Sequence, residues 1–455
     1  MIIMKVIIVG CTHAGTYAAS TILREHPGTQ VTIYERNDTV SFLSCGIALW
    51  LDKKIANPKG LFYSSPQQLE KQGAKVEINH DVQNIDTKNK VVTVKNLKTG
   101  KVAKDHYDKL VMSTGSRPFI PPIEGVKNPN VYLCKSWNDA KRIFNKMKTT
   151  KRITVIGCGM IGAELADSFS NQGNKVYLID QGSRPLGKYF DKRFTDIITK
   201  SYEAHNVTLA MNQQVKKISG NGPVIVTTSD GSQFKSDIVI LCVGFRPNAQ
   251  LLDGKVKMIR GTIVTNRYMQ SSDPNIFAAG DCSMIYYNPT KSLFYAPLAT
   301  NAVRQGLLVG KNIVEPTVRY MGTQASSGLK LYDRTIVASG MNMGMAKKFH
   351  MNVHQVVAET NYRPSFMPTT APVLMSLVYD PKTRRILGGA FMCKHDVSMA
   401  ANALSILIQN DNTIDQLAMV DMLFQPYFDA PFNYMNILGQ VAVAHEDKLK
   451  KENNK

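Results

Sequence analysis

The sequence predicts an α/β protein: two units of parallel strands and helices, one inserted into the other, followed by an antiparallel α+β domain. Three observations predict it. Residues 5–36, KVIIVGCTHAGTYAASTILREHPGTQVTIYER, and residues 152–181, RITVIGCGMIGAELADSFSNQGNKVYLIDQ, run in the same order. Each is an apolar strand, a glycine-rich turn, a helix, a second apolar strand and an acid. Residues 107–122, YDKLVMSTGSRPFIPP, and 236–248, SDIVILCVGFRPN, repeat one another and bracket the second of those units. From about residue 326 the strand–helix alternation stops. A chain of 455 residues accommodates three domains at roughly 150 residues each.

The repeated unit is the Rossmann-like βαβ motif that binds a dinucleotide. Its glycines let the backbone approach a pyrophosphate, and the following helix offers unpaired N–H groups and the positive end of its dipole. The acid after the second strand accepts hydrogen bonds from a ribose. In the second copy the match is complete: Gly157, Gly159 and Gly162, with Asp180 after the strand. That acid favours NADH, because it repels a 2′-phosphate; Arg184 nearby leaves NADPH possible. In the first copy Gly10 and Gly15 are present, Thr12 replaces the middle glycine, and the acid is Glu35. His13 lies inside this turn, at the mouth of the nucleotide site, where its imidazole meets solvent or a ligand.

Each bracketing segment reads as a strand followed by a tight turn and a proline-containing connector. NIFAAGDC, residues 275–282, reads as a strand ending in Gly280-Asp281, where an acid can hold a sugar or ribityl hydroxyl. Beyond it, LMSLVYDPKTRRILGGAFM (374–392) reads as a hairpin with a DPKT turn. HDVSMAANALSILIQ reads as an amphipathic helix, and FQPYFDAPFNYMNILGQVAVA closes the domain. The opening run MIIMKVIIVG reads as a buried first strand rather than a signal peptide, with Met4 an alternative start.

The bulk numbers exclude several function classes. No apolar run reaches the roughly 18 residues that span a bilayer. The net charge of +20 is scattered, its only dense run being KLKKENNK, and no nucleic-acid-binding motif accompanies it. The seven cysteines, Cys11, Cys45, Cys134, Cys158, Cys242, Cys282 and Cys393, are odd in number and widely spaced. That argues against a disulfide framework or a cysteine zinc site and fits a reducing cytoplasm; no metal is expected.

With these motifs the chain resembles the flavoprotein disulfide reductases that carry two dinucleotide-binding domains, the glutathione-reductase-like fold. It is similar to their single-cysteine subgroup of NADH oxidases, NADH peroxidases and coenzyme A-disulfide reductases, and most to the water-forming oxidases of lactic acid bacteria. The matching segments are GCTHAG (10–15), SFLSCG (41–46), STGSRP (113–118), GCGMIG (157–162), CVGFRPN (242–248), AAGD (278–281) and FQPYFDAPFN (424–433). The resemblance implies an FAD-binding domain of residues 1–118 and 248–325, an NAD(P)H-binding domain of 119–247, and a dimerisation domain of 326–455. It implies FAD contacts at Gly10, His13, Ala14, Gly15, Glu35, Arg36, Cys45, Val82, Thr114, Gly115, Lys135, Asp281, Leu298, Ala299 and Thr300. Phe424 would reach the flavin of another subunit in a homodimer or dimer of dimers. NADH contacts would fall on Gly157, Gly159, Ile161, Gly162, Asp180, Tyr189, Gly244 and Gly328.

The resemblance also gives Cys45 its chemistry. The thiol is expected at a helix start, facing the flavin, where its pKa falls. No cysteine follows in Ile47 through Leu51, so no internal disulfide forms there. The remaining two-electron couple is thiolate to sulfenic acid, or a mixed disulfide with a small thiol. The expected reaction is 2 NADH + O2 + 2 H+ to 2 NAD+ + 2 H2O, with Cys45 and His13 catalytic and dioxygen the small-molecule partner. The alternatives are NADH peroxidase, coenzyme A-disulfide reductase and, in another class, a flavin-bound redox sensor. Reductases of coenzyme A disulfide carry helping tyrosines where this chain has FQPYFDAPFN. A complete NADH site argues against a sensor.

Overall fold

The structure is a computed structural model that describes residues 4–454. The first three residues of the MIIMKVIIVG run lie outside the described residues. The chain forms two compact units. One takes the chain up to Thr150, then Ile238–Tyr286 and Leu293–Gly322; the other takes Lys151–Asp237, Tyr287–Ser292 and the chain from Thr323 on.

In the first unit a five-stranded parallel sheet runs in the order Ile276–Ala278, Lys109–Met112, Lys5–Val9, Gln30–Glu35, Ala74–Ile78. The central strand KVIIV is apolar nearly throughout because both of its faces are covered; Val6, Ile7 and Ile8 are fully buried. The helix His13–Glu25 packs closely on the helix Ala299–Asn312. Gly306 and Gly310 permit this approach, since a Cβ at Gly306 would run into the Ala14 carbonyl and one at Gly310 into Thr21. A three-stranded antiparallel sheet, His80–Asp86, Val91–Asn96 and Val102–His106, extends the core. The two connector motifs pair as a short ribbon of Ser116–Pro118 with Phe245–Pro247.

In the second unit Arg152–Ile156, Lys175–Ile179 and Val207–Ala210 are parallel neighbours, joined through the helices Met160–Asn171 and Lys192–Ala204. The C-terminal part is a five-stranded antiparallel sheet in the order Ser327–Leu331, Arg334–Gly340, Ile386–Cys393, Pro372–Tyr379, His354–Asn361. The expected hairpin is there: Asp380 Oδ1 accepts from Lys382 N and Thr383 N, each at 2.8 Å, which closes the DPKT turn. The helices Ser398–Gln409 and Tyr434–Asn453 cover this sheet. No helix among the described residues is long and apolar enough to cross a membrane.

Candidate functional site

The first glycine turn is built by close backbone contact. Gly10 has φ +91°, and a Cβ there would stand 2.6 Å from the Ser113 carbonyl oxygen. Ser113 Oγ donates to Gly10 O at 2.7 Å and to Val9 O at 3.1 Å, tying the ends of two neighbouring strands. Glu35 is 3% exposed. Its Oε2 accepts from Cys11 N at 2.7 Å, and its Oε1 from Asn37 N at 2.9 Å and Asn37 Nδ2 at 2.6 Å. Burial pushes this carboxyl up, while those N–H donors pull it back toward the charged form. The acid therefore clamps the turn from below. Arg36 is exposed and lies 3.9 Å from Asp81. Val82 packs in the core with Val9 and Tyr34.

Cys45 sits on a segment fixed from both sides. Ser41, at φ 57°, donates its N–H to Cys11 O at 2.8 Å, and its Oγ donates to Ser64 O at 2.6 Å and accepts from Ser64 N at 2.9 Å. Phe42 bridges to Phe62, and Leu43 N donates to Leu61 O. The thiol is exposed. It stands at a helix start as expected, though the helix opens with a 3-10 turn and is short. It lies in the 3-10 turn Ser44–Gly46, and the helix after it, Ile47–Leu51, is too short for a substantial dipole. A Cβ on Gly46 would run into Leu61, so glycine is what allows the turn to lie flat there. By contrast, burial pushes Cys11 and Cys158 up to about 12 and raises Cys282 and Cys393, so none of these four is a ready thiolate.

The pairing of 41–43 with 61–64 brings in a residue that sequence reasoning missed. Tyr63 OH lies 2.6 Å from His13 Nδ1, donates to Thr12 O at 3.2 Å, and its ring stacks on the imidazole at 5.8 Å. Burial, then Tyr17 and the Cys11 and Cys45 thiols, keep the phenol protonated. Burial also lowers the His13 pKa; the Asp281 carboxylate opposes this and the Lys135 ammonium adds to it. The imidazole is therefore neutral near pH 7. Lys135 and Asp281 are joined, with Lys135 Nζ 3.2 Å from Asp281 Oδ2. Ser116 Oγ lies 2.6 Å from each of them, and the ammonium sits 4.2 Å above the Phe245 ring. Thr114 Oγ1 donates to Asn248 O beside Gly115, which has φ +64°.

A flavin dinucleotide fits this unit. The helix Ala299–Asn312 begins at Thr300's turn with Leu298 as its cap residue, so Leu298, Ala299 and Thr300 form its N-terminus. Within it Gln305 is fully buried; its Oε1 accepts from Gly280 N at 2.6 Å, while Nε2 is a buried donor with no partner. Such an orphan is what a bound polar group would satisfy. Gly280 has φ +80° and faces Ala14.

The second unit repeats the clamp. Gly157 has φ +101°. Asp180 Oδ2 accepts from Cys158 N and Oδ1 from Gly182 N, both at 2.6 Å. Gly159 caps the helix that carries Ile161 and Gly162. Tyr189 lies over this turn, its hydroxyl 3.7 Å from where a Gly159 Cβ would be, and Asn342 Nδ2 donates to the Tyr189 carbonyl at 2.9 Å. On the same helix, burial and then Asp167 push Glu164 up to about 7. Gly328 packs against Val337, while Gly244, at φ +104°, belongs to the first unit. Phe424 is 49% exposed, and Leu423, Tyr427 and Phe428 beside it are exposed as well.

Comparison with known proteins agrees with this architecture. The model of the pyridine nucleotide-disulphide oxidoreductases matches residues 4–306, and that of their dimerisation domain matches 328–435. An NADH oxidase of Enterococcus faecalis is 48% identical over 97% of this chain and 99% of its own. The solved water-forming NADH oxidase of Lactobacillus brevis, bound to NADH, is 57% identical with a TM-score of 0.96, covering 98% of this chain and 99% of that one. An NAD(P)H coenzyme A polysulfide/persulfide reductase of Pyrococcus horikoshii is 30% identical over 96% of this chain and 98% of its own. The chain belongs to the pyridine nucleotide-disulphide oxidoreductase family.

Proposed function

We propose that the protein is an FAD-dependent NADH oxidase that reduces dioxygen to water through Cys45. The observation that carries this is the exposed Cys45 thiol on a segment hydrogen-bonded to residues 61–64, which present Tyr63 to His13. Bound FAD would supply the two-electron redox chemistry between NADH and dioxygen. The chain's residues do the rest. The glycine turns and their helix N-termini hold the two pyrophosphates, Glu35 and Asp180 the riboses, and Lys135 with Asp281 the flavin side of the site. Tyr63 donates to Thr12 O, so its oxygen accepts from His13 Nδ1–H and leaves Nε2 with the lone pair. The Cys45 thiolate takes one oxygen of hydrogen peroxide: with one proton this releases water and leaves a sulfenic acid. The hydride equivalent of a second NADH then reduces the sulfenic acid, returning the thiolate and releasing the second water with no further proton taken up. His13 moves the protons.

Residues 1–118 with 248–325 serve FAD, 119–247 serve NADH, and 326–455 pair copies into a homodimer or dimer of dimers. The exposed apolar stretch around Phe424 suits such pairing and a reach toward the partner's flavin. The seven widely spaced cysteines fit a reducing, cytoplasmic location. Asp180 favours NADH, with NADPH a weaker substrate. The test is oxygen uptake at limiting NADH, with catalase added at the end. Two NADH per oxygen, and no oxygen returned, support the reading. Catalase-recoverable peroxide overturns it, and a protein that consumes only hydrogen peroxide or coenzyme A persulfide replaces it with the peroxidase or reductase.

A further inference from the structure

Two imidazoles and a carboxylate converge in the C-terminal part of the second unit, in a cluster that the proposed reaction does not use. His354 opens the strand His354–Asn361; His445 and Glu446 lie on the helix Tyr434–Asn453. His354 Nδ1 is 2.6 Å from Glu446 Oε1, and His445 Nδ1 is 3.5 Å from the same oxygen. One ligand atom from each of the three side chains lies within 4.8 Å of the others. The two rings stand at 86° with centroids 5.5 Å apart. Tyr379, on the neighbouring strand, donates to Glu446 Oε1 at 2.9 Å and lies 3.0 Å from His445 Nδ1.

We propose that His354, His445 and Glu446 bind a zinc ion. Glu446 is 5% exposed, and a carboxylate so buried calls for positive charge beside it. Zinc bonds to imidazole nitrogen and carboxylate oxygen are about 2.0–2.2 Å, so ligand atoms of a tetrahedral site stand roughly 3.3–3.5 Å apart. The His445–Glu446 separation already has that value. The His354 ring has to withdraw by under about 1 Å, and its side chain, 32% exposed, has room to turn. Two nitrogens with one oxygen select zinc over calcium or magnesium, which take oxygen ligands. The Tyr379 phenol fixes the carboxylate, as outer-shell partners of metal ligands do. The half-exposed rings leave the fourth position to water. The ion joins the start of one strand to the C-terminal helix, and His354 lies too far from His445 and Glu446 in sequence for the three to form a motif.

The test is titration of the tag-free, chelator-treated holoprotein with zinc chloride by calorimetry, with metal content measured after gel filtration. The wild type is expected to hold one zinc per chain. His354→Asn and His445→Asn are expected to weaken binding about tenfold or more. Both are half-exposed substitutions, and retained yellow colour and circular dichroism confirm their fold. Cys45→Ser is expected to keep the zinc. Absence of stoichiometric zinc in the wild type, unchanged affinity in both histidine variants, or loss confined to Cys45→Ser overturns the proposal.

Discussion

Replacing Gly10 with alanine imposes two separable costs. The first is backbone strain, since φ is +91° and a left-handed conformation costs an L-residue about 1–2 kcal/mol. The second is a clash. The new Cβ would stand 2.6 Å from Ser113 O, 3.0 Å from Ser113 C and 3.2 Å from Thr114 Cα, all backbone atoms that cannot swing aside. Ordinary contact begins near 3.4 Å, so the two strand ends must part by 3.4 − 2.6 = 0.8 Å. Overpacking of that kind costs about 1–3 kcal/mol, for a total of roughly 2–5 kcal/mol. Gly28 is the control: its φ is +88° with nothing within 4 Å, so Gly28→Ala carries the strain alone. The assay is thermal unfolding followed by flavin fluorescence, with flavin retained on gel filtration as a second readout. Gly10→Ala is expected to release flavin earlier and to unfold well below Gly28→Ala. Equal midpoints and equal flavin content in the two variants would refute the argument that backbone contact with Ser113 shapes the FAD turn.

Three further outcomes are expected. Tyr63→Phe removes the phenol oxygen from His13 Nδ1 and Thr12 O, so kcat should fall about tenfold with the KM for NADH unchanged, as expected when a proton-transfer group loses its orientation; stopped-flow and steady-state kinetics read this, and a raised KM at constant kcat contradicts it. Glu164→Gln tests linkage. Glu164 is pushed from 4.5 to about 7, so between those values the folded chain holds more protons than the unfolded one and stability falls as pH rises. At about 1.4 kcal/mol per pH unit the glutamine gains at most roughly 3 kcal/mol above pH 7 and little below 4.5, so its thermal advantage must grow with pH; an advantage that is flat or shrinks is the wrong sign. Asp180→Ala removes the acceptor for Cys158 N and Gly182 N and, on the proposed reading, the charge that disfavours a 2′-phosphate. Preference should move toward NADPH by about tenfold, an energy of about 1.4 kcal/mol, and an unchanged ratio of kcat/KM values would assign the preference elsewhere.

What could be read from the sequence was local. A turn such as Gly10 to Gly15 declares itself, because strand, glycines and helix lie within one short run and only glycine takes the backbone angle. The hairpin around Asp380 was legible for the same reason. The clamp that Glu35 and Asp180 place on Cys11 N and Cys158 N was not, since the motif explains each acid by a ribose and hides its second task. Tyr63 was invisible because it reaches His13 only through the pairing of two irregular segments. Ser116, Lys135 and Asp281 come from three separate stretches, so their joint hydrogen bonding follows from the fold and not from spacing. The helix start at Cys45 was legible, but its opening as a 3-10 turn and the close approach of Gly46 to Leu61 were not, since that contact is made outside its own segment.

The most direct test of the central claim is the product of Cys45→Ser. The variant keeps the FAD and NADH turns, so it should still consume NADH and oxygen, at one NADH per oxygen, and catalase should return half of the oxygen consumed. Water as the product, with no peroxide recovered, would show that Cys45 does not carry the second two-electron step.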